Sequence, residues 1–373
     1  MNILVVGNGF DLAHNLPTSY KDFLHFTDVF VEFKTQRRVL GAQIPVENNK
    51  NEKLLINYLI DLFNSAETNS DAKRLIEEIN SLITDNMWIE HFKKINIANG
   101  WIDFESEISL IIKTFDQIRI RLVNELQTSG KGISITSYQS SVLKPFIGEA
   151  SLFTSTVTID KLNTVLLNDL NKLTRCLEIY LSDYISSIPI ENTIPDIAEL
   201  DIHAIVSFNY TDTYRINYTT TPDKIKCDFI HGQAQLSNSL ETCNMVIGID
   251  EYLEGSDKEK HTEYIQYKKF YQRIYKSTGC NYVDWLGEIM PRPAERYCPI
   301  ESNIYIYGHS LDATDKDILA TLITAENTKT TIFYHNQEAL KKQIINLVKV
   351  ITEDELIRRT GNKKIIFQKT KET

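Results

Sequence analysis

The chain opens on Ile3-Leu4-Val5-Val6, an unbroken apolar run that stops at Gly7-Asn8-Gly9. A strand with one face in water alternates apolar and polar residues. A strand with no polar position is covered on both faces, as in a parallel sheet packed between helices. Gly7-Asn8-Gly9-Phe10-Asp11 then reads as a turn, with Leu12-Ala13-His14 beginning a helix.

From about Tyr20 to Pro189 the pattern changes. Leu54, Leu55, Tyr58, Leu59, Leu62 and Phe63 recur at helical spacing, and so do Leu162, Val165, Leu166, Leu170, Leu173, Leu177, Leu181 and Tyr184. Strand-like runs return afterwards at Ile202 to Phe208, Ile225 to Ile230, Met245 to Ile249, Ile304 to Tyr307 and Thr331 to Tyr334, with Ile365 to Phe367 as an edge. Strands spaced by helical stretches imply crossovers and a parallel sheet. The expected fold is α/β: a Rossmann-like parallel sheet flanked by helices, with a large all-helical insertion after the first strand. Residues 1–20 and 200–373 would form the nucleotide-binding core and 21–199 the insertion.

A length of 373 residues and an apolar fraction of 42% allow two compact units or one with an insertion. The formal net charge of −10 repels a phosphate backbone, which disfavours nucleic acid as a partner. Small anionic ligands remain open, because backbone amides hold them without net positive charge. Cys176, Cys227, Cys243, Cys280 and Cys298 show no C-x-x-C spacing, and their odd number suits reduced thiols. The opening run lacks a basic n-region, and no stretch reaches the roughly 18 apolar residues of a membrane span. The expected location is cytoplasmic, without a membrane partner.

Chemistry concentrates where strands end. Glycine at Gly7 and Gly9 lets the backbone approach a pyrophosphate, although Leu12 stands where the full dinucleotide fingerprint has a third glycine. Asp11 fits equally a helix N-cap. Further strand ends deliver Asn209 and Asp212, then His231 with Gly232, then Gly308, His309, Ser310 and Asp312, with Asp315 and Asp317 at a helix start. In open parallel sheets the ligand crevice lies outside the carboxyl ends of the strands, so these residues converge on one rim. No His-x-x-x-His or Glu-x-x-His spacing occurs, and no metal is expected.

Other motifs have quieter readings. Asp103 in Trp101-Ile102-Asp103-Phe104-Glu105 fits a helix cap with Phe104 packed inward. Tyr264, Tyr267, Tyr271 and Tyr275, interleaved with Lys268, Lys269, Arg273 and Lys276, read as an amphipathic helix with a solvated basic face.

The stretch Gly7-Asn8-Gly9-Phe10-Asp11-Leu12-Ala13-His14-Asn15-Leu16-Pro17-Thr18-Ser19-Tyr20-Lys21-Asp22-Phe23 resembles the N-terminal signature of the AbiH family of bacterial phage abortive-infection proteins. Trp101 to Glu105, Ser207 to Thr211, His231-Gly232, Gly248-Ile249-Asp250 and Gly308 to Leu311 resemble its later landmarks, in the same order. More distantly, this order is similar to that of sirtuin-like nucleotide-binding proteins of antiphage systems. That second resemblance implies NAD as substrate or ligand, cleaved at the nicotinamide–ribose bond. It implies Asn209 and His231 as catalytic, with Asp212 standing one place beyond the family's acid, where this chain has Thr211. Gly7, Asn8, Gly9, Phe10, Asp11, Gly232, Gly308, His309 and Ser310 would hold the dinucleotide. The zinc-binding cysteines of true sirtuins are absent.

Three functions follow: an antiphage NAD glycohydrolase, a non-catalytic nucleotide-binding module that regulates a partner, and a nucleic-acid-cleaving effector, which the charge opposes. A phage-derived trigger and self-association through the helical insertion are the expected macromolecular contacts.

Overall fold

The computed structural model describes residues 1–37, 50–99, 103–279, 281–284 and 302–371. Trp101, Ile102, Cys280 and Cys298 lie outside the described residues. The chain divides into two compact units: Met1–Ser19 with Ile185–Ala234 and Ser277–Thr373, and Tyr20–Tyr184 with Gln235–Lys276.

The first unit is a six-stranded sheet with helices around it. Its strands are β1 (Asn2–Val6), β4 (Ala204–Ser207), β5 (Lys226–Phe229), β6 (Ser302–Tyr307), β7 (Thr328–Tyr334) and β8 (Ile365–Lys369). All pairings are parallel and the order is β5-β4-β1-β6-β7-β8. The chain runs outward from β1 through β4 to β5, returns to β6 on the other side of β1, and runs outward again. β1 shows why its run Ile3-Leu4-Val5-Val6 carries no polar residue. Ile3 and Val5 join one apolar cluster with Ile304, Ile306 and Leu319, while Leu4 and Val6 join another with Phe10, Ile205 and Tyr307. Each of the four is at most 3% exposed. Burying such a side chain is worth roughly 1.5–3 kcal/mol, so this strand anchors both layers. β8 ends in Gln368 and Lys369, both exposed, a polar finish that suits an edge.

The second unit is helical, apart from a short antiparallel ladder of β2 (Ile133–Ser134) and β3 (Leu152–Phe153). Its longest helices are Phe104–Thr128 and Thr156–Ile179. Asp103 caps the first, accepting from the Glu105 and Ser106 amides, and Phe104 stacks on Tyr20 and Phe92 at 4.0 and 4.1 Å. Among the described residues no helix is long and apolar enough to cross a membrane.

Three sequence expectations are corrected. The first helix spans Asn8–Ala13, so Gly7 alone makes the turn and Asp11 is not a cap. Met245 to Ile249 is buried but not a strand; only Ile249 bridges, to Lys268. The Gln272 amide donates to the Ile247 carbonyl, and the Lys276 ammonium lies 2.5 Å from that of Met245. Side-chain donors thus take the place of a neighbouring strand. The lysines expected on a solvated face are instead sequestered, Lys268 on Glu251 and Lys269 on Glu105, in a helix of only Lys269–Tyr275.

Candidate functional site

Strand register sets the site. Val6 pairs with Ser207 and with Tyr307, and Ser207 pairs with Phe229. The residues one or two places beyond, Gly7, Asn209, His231 and Gly308, therefore leave the sheet in one rank. Between β1 and β6 the order of connection reverses, which opens a crevice at the carboxyl ends of such strands.

The glycines knit two of these exits together. The Gly7 amide donates to the Tyr307 carbonyl (3.2 Å) and the Gly9 amide to Gly308 (2.8 Å). A β-carbon on Gly9 would stand 2.8 Å from the Gly308 backbone. One on Gly308, whose φ is +68°, would stand 2.1 Å from the Phe10 nitrogen. Glycine is required here for backbone-to-backbone packing, and the Gly9 amide is committed within the protein. Asn8 is exposed and accepts from the Thr18 hydroxyl. Phe10 is core, against Tyr214, Tyr218 and Tyr307. His14 is a satisfied structural histidine. Its Nδ1 meets the Phe10 carbonyl and its Nε2 the Tyr218 hydroxyl, each at 2.7 Å, and burial lowers its pKa.

Two polar clusters occupy the rim. In the first, the Asp11 carboxylate, 1% exposed, accepts from the hydroxyls of Thr211 (2.5 Å) and Thr213 (2.6 Å). Burial pushes this carboxyl up to about 6, against the pull of both threonines and of nearby Asn209. The Ser207 hydroxyl donates to the Asn209 carbonyl and accepts from its amide, which fixes the backbone of that turn. The Asn209 side chain is 4% exposed, and neither its oxygen nor its nitrogen completes a hydrogen bond within the described residues. Leaving a buried carboxamide unmet costs of order 1–3 kcal/mol. The side chain lines a recess with room for only about 10 Å³, about one water molecule, lined also by Phe10, Ile205, Thr211, Asp212, Tyr214 and Phe229.

In the second cluster His231 and His309 meet one acid. Their Nε2 atoms lie 3.2 and 3.5 Å from the two oxygens of Asp315. The Phe208 ring stands edge-on to both, at 5.6 and 4.3 Å between centroids. The two histidines leave strands three places apart, about 14 Å at ordinary strand spacing, so their side chains lean together over the intervening strand ends. Gly232, at φ +83°, turns the chain directly after His231.

Asp212 belongs to neither cluster. Both its oxygens are held by Arg215, at 2.5 to 3.0 Å, and that guanidinium lies over the Phe229 ring. Ser310 is exposed, with its carbonyl accepting from Asn346. Sequence reasoning noted Asp315 only as an acid at a helix start, and missed Thr213 and Ser207. Their signal was faint: a hydroxyl or acid within a few residues of each strand end.

Among the described residues no group of three or more His, Cys, Asp or Glu side chains could hold a metal. The arrangement offers an imidazole beside a carboxylate, a buried acid and an unmet carboxamide, which are tools for proton transfer and for gripping a polar ligand. No curated protein and no solved structure matches the chain. The family model described as bacteriophage abortive infection AbiH matches residues 3–336, and by that match the chain belongs to the AbiH family of phage abortive-infection proteins.

Proposed function

We propose that this AbiH protein is a sirtuin-like effector that binds NAD along the strand-end rim and hydrolyses its nicotinamide–ribose bond. The observation that carries the reading is the pairing, on one rim, of an Asp-held histidine with a buried carboxamide that completes no hydrogen bond among the described residues. Supporting it, the six strands counted within the sheet run 3-2-1-4-5-6, the order of Rossmann-type dinucleotide-binding sheets, with β1 and β6 at the switch point.

In this reaction the bond from ribose C1′ to the pyridine nitrogen breaks and nicotinamide leaves neutral. Water adds to the oxocarbenium carbon, and its proton passes to His231. NAD and water give nicotinamide, ADP-ribose and a proton. The Asn209 carboxamide positions the ribose or the attacking water. An imidazole suits the transfer because it exchanges protons near neutral pH. Gly232, Gly308 and Ser310 line the dinucleotide beside the Gly7–Gly9 turn, whose own amides are taken by Tyr307 and Gly308. A phage-derived trigger and self-association through the helical unit complete the reading, with the protein acting in the cytoplasm.

A second reading, a non-catalytic nucleotide-binding module, is favoured by two observations. The recess beside Asn209 has room for only about 10 Å³, far below the roughly 300–1,000 Å³ of ordinary ligand pockets, and the Gly9 amide is already committed. Incubating purified protein with NAD, with and without phage lysate, and following nicotinamide by chromatography separates the two. Release that disappears in Asn209→Ala supports hydrolysis. Intact bound NAD after long incubation supports the binding module, and release unaffected by Asn209→Ala or His231→Ala removes both residues from the mechanism.

A further inference from the structure

We propose that Asp315 is the positioning residue of this site: its one carboxylate faces the Nε2 atoms of His231 and His309 together, and so directs an incoming proton onto Nδ1 of His231. The proposal rests on the reading of His231 as proton acceptor and adds the residue that prepares it.

Asp315 closes the turn Ala313–Asp315 and stands at the N-cap of helix Lys316–Thr324. An acid there ordinarily accepts from the first helical amides, a bond worth about 1 kcal/mol. Asp315 makes no side-chain cap. Two comparisons show that the chain builds such bonds elsewhere: Asp312, three residues earlier, accepts from the Thr314 amide, and Asp103 caps its own helix. The Asp315 carboxylate is instead turned inward, 8% exposed, toward the two rings.

The rings are not equivalent. The Leu311 amide donates to His309 Nδ1 at 2.8 Å, and Leu311 holds it there from a left-handed backbone, φ +58°. A nitrogen that accepts carries a lone pair, so the His309 proton is on Nε2, the atom facing Asp315. With its own Nε2 directed at Asp315, a neutral His231 ring carries its lone pair on Nδ1, and a proton added there makes an imidazolium beside a buried carboxylate. The same Asp315 carboxylate thus fixes the tautomer of both rings. Phe208, packed edge-on against both, keeps the rings from turning.

The test reads the rings directly, by long-range proton–nitrogen NMR of the imidazoles in the full chain across a pH series. In the parent, both neutral rings should carry the proton on Nε2. In Asp315→Asn, the His231 midpoint should fall by about one pH unit or more, with His309 still an Nε2 tautomer. An Nδ1 tautomer at His231 or an unmoved His231 midpoint would each overturn the proposal. The parent tautomers need no variant, so the test stands even where Asp315→Asn does not fold. No turnover enters the readout: these tautomers in a protein that releases no nicotinamide would defeat the proposed reaction and leave the positioning role intact.

Discussion

Two buried polar networks in this protein are built on opposite plans. In the helical unit, Arg175 is 1% exposed and fully engaged. It reaches Glu78 at 2.8 Å, Glu178 at 2.7 Å and the carbonyls of Gln235 and Leu236 at 3.2 Å. Glu178 in turn accepts from the Gln235 amide and the Asn238 side chain. On the sheet unit's rim, Asn209 is nearly as buried, yet both its side-chain polar atoms lack partners within the described residues. A network that serves the fold meets its own hydrogen bonds, because every unmet group costs free energy. Unmet buried atoms also occur in the helical unit, at Asn163 and Tyr264, so the contrast is between these two networks: one holds the fold, and the other leaves a carboxamide for the ligand of the proposed function.

The largest expected effect lies on the rim. His231→Ala should lower nicotinamide release by roughly 10²–10⁴-fold, the usual contribution of a positioned proton acceptor, with the denaturation midpoint nearly unmoved. A midpoint that collapses with activity would make His231 a structural histidine and erase the contrast.

Next comes the helical network. Glu178→Ala leaves Arg175 without its most buried partner and frees two further donors. Removing one partner of a buried pair costs about 3–5 kcal/mol, readable by urea unfolding. Asn209→Ala, which removes only the weak pull of that side chain on Asp11, should cost less than about 1 kcal/mol in the same assay. Equal losses in the two variants would show that Asn209 is held by contacts equivalent to those of Glu178.

Much of this was legible in the sequence, for identifiable reasons. β1 announces a doubly covered strand because all four of its apolar residues are needed, two per face. Asn209 and His231 could be placed at strand ends because apolar runs stop there. What could not be read depends on distant partners. Met245 to Ile249 has the composition of a strand, but only the fold reveals that Gln272 and Lys276 satisfy its carbonyls. Lys268 and Lys269 look solvated until Glu251 and Glu105 are brought to them. Asp315 is one acid among several near a helix start, and its meeting with two histidines is a tertiary event.

Asp11 sharpens the comparison through pH. Its carboxyl is raised from 3.8 to about 6 in the folded chain, chiefly by burial. The folded state therefore keeps this proton where the unfolded state has lost it. Its contribution to stability is fully present below about pH 4 and is lost as pH rises through about 6. The two values correspond to about 3 kcal/mol. Unfolding midpoints measured from pH 4.5 to 7 should fall with this component in the parent and flatten in Asp11→Asn. In that variant, one threonine hydroxyl must turn to accept from the new amide. A parallel slope in both proteins would show that the Asp11 charge is met better than its burial implies.

The smallest effect is expected at Asp212, an acid near Asn209 in sequence whose oxygens belong to Arg215. The pair is three residues apart on one short helix, and its side chains are 23% and 18% exposed, so solvent screens it. Such pairs contribute about 0.2–1 kcal/mol. Asp212→Asn should weaken stability within that range and reduce turnover far less than His231→Ala, because the carboxylate, although Asp212 lines the recess beside Asn209, is held by a guanidinium. A loss of turnover as deep as that of His231→Ala, at unchanged stability, would move Asp212 into the chemistry. It would also show that Arg215 holds this acid for the reaction rather than for the helix.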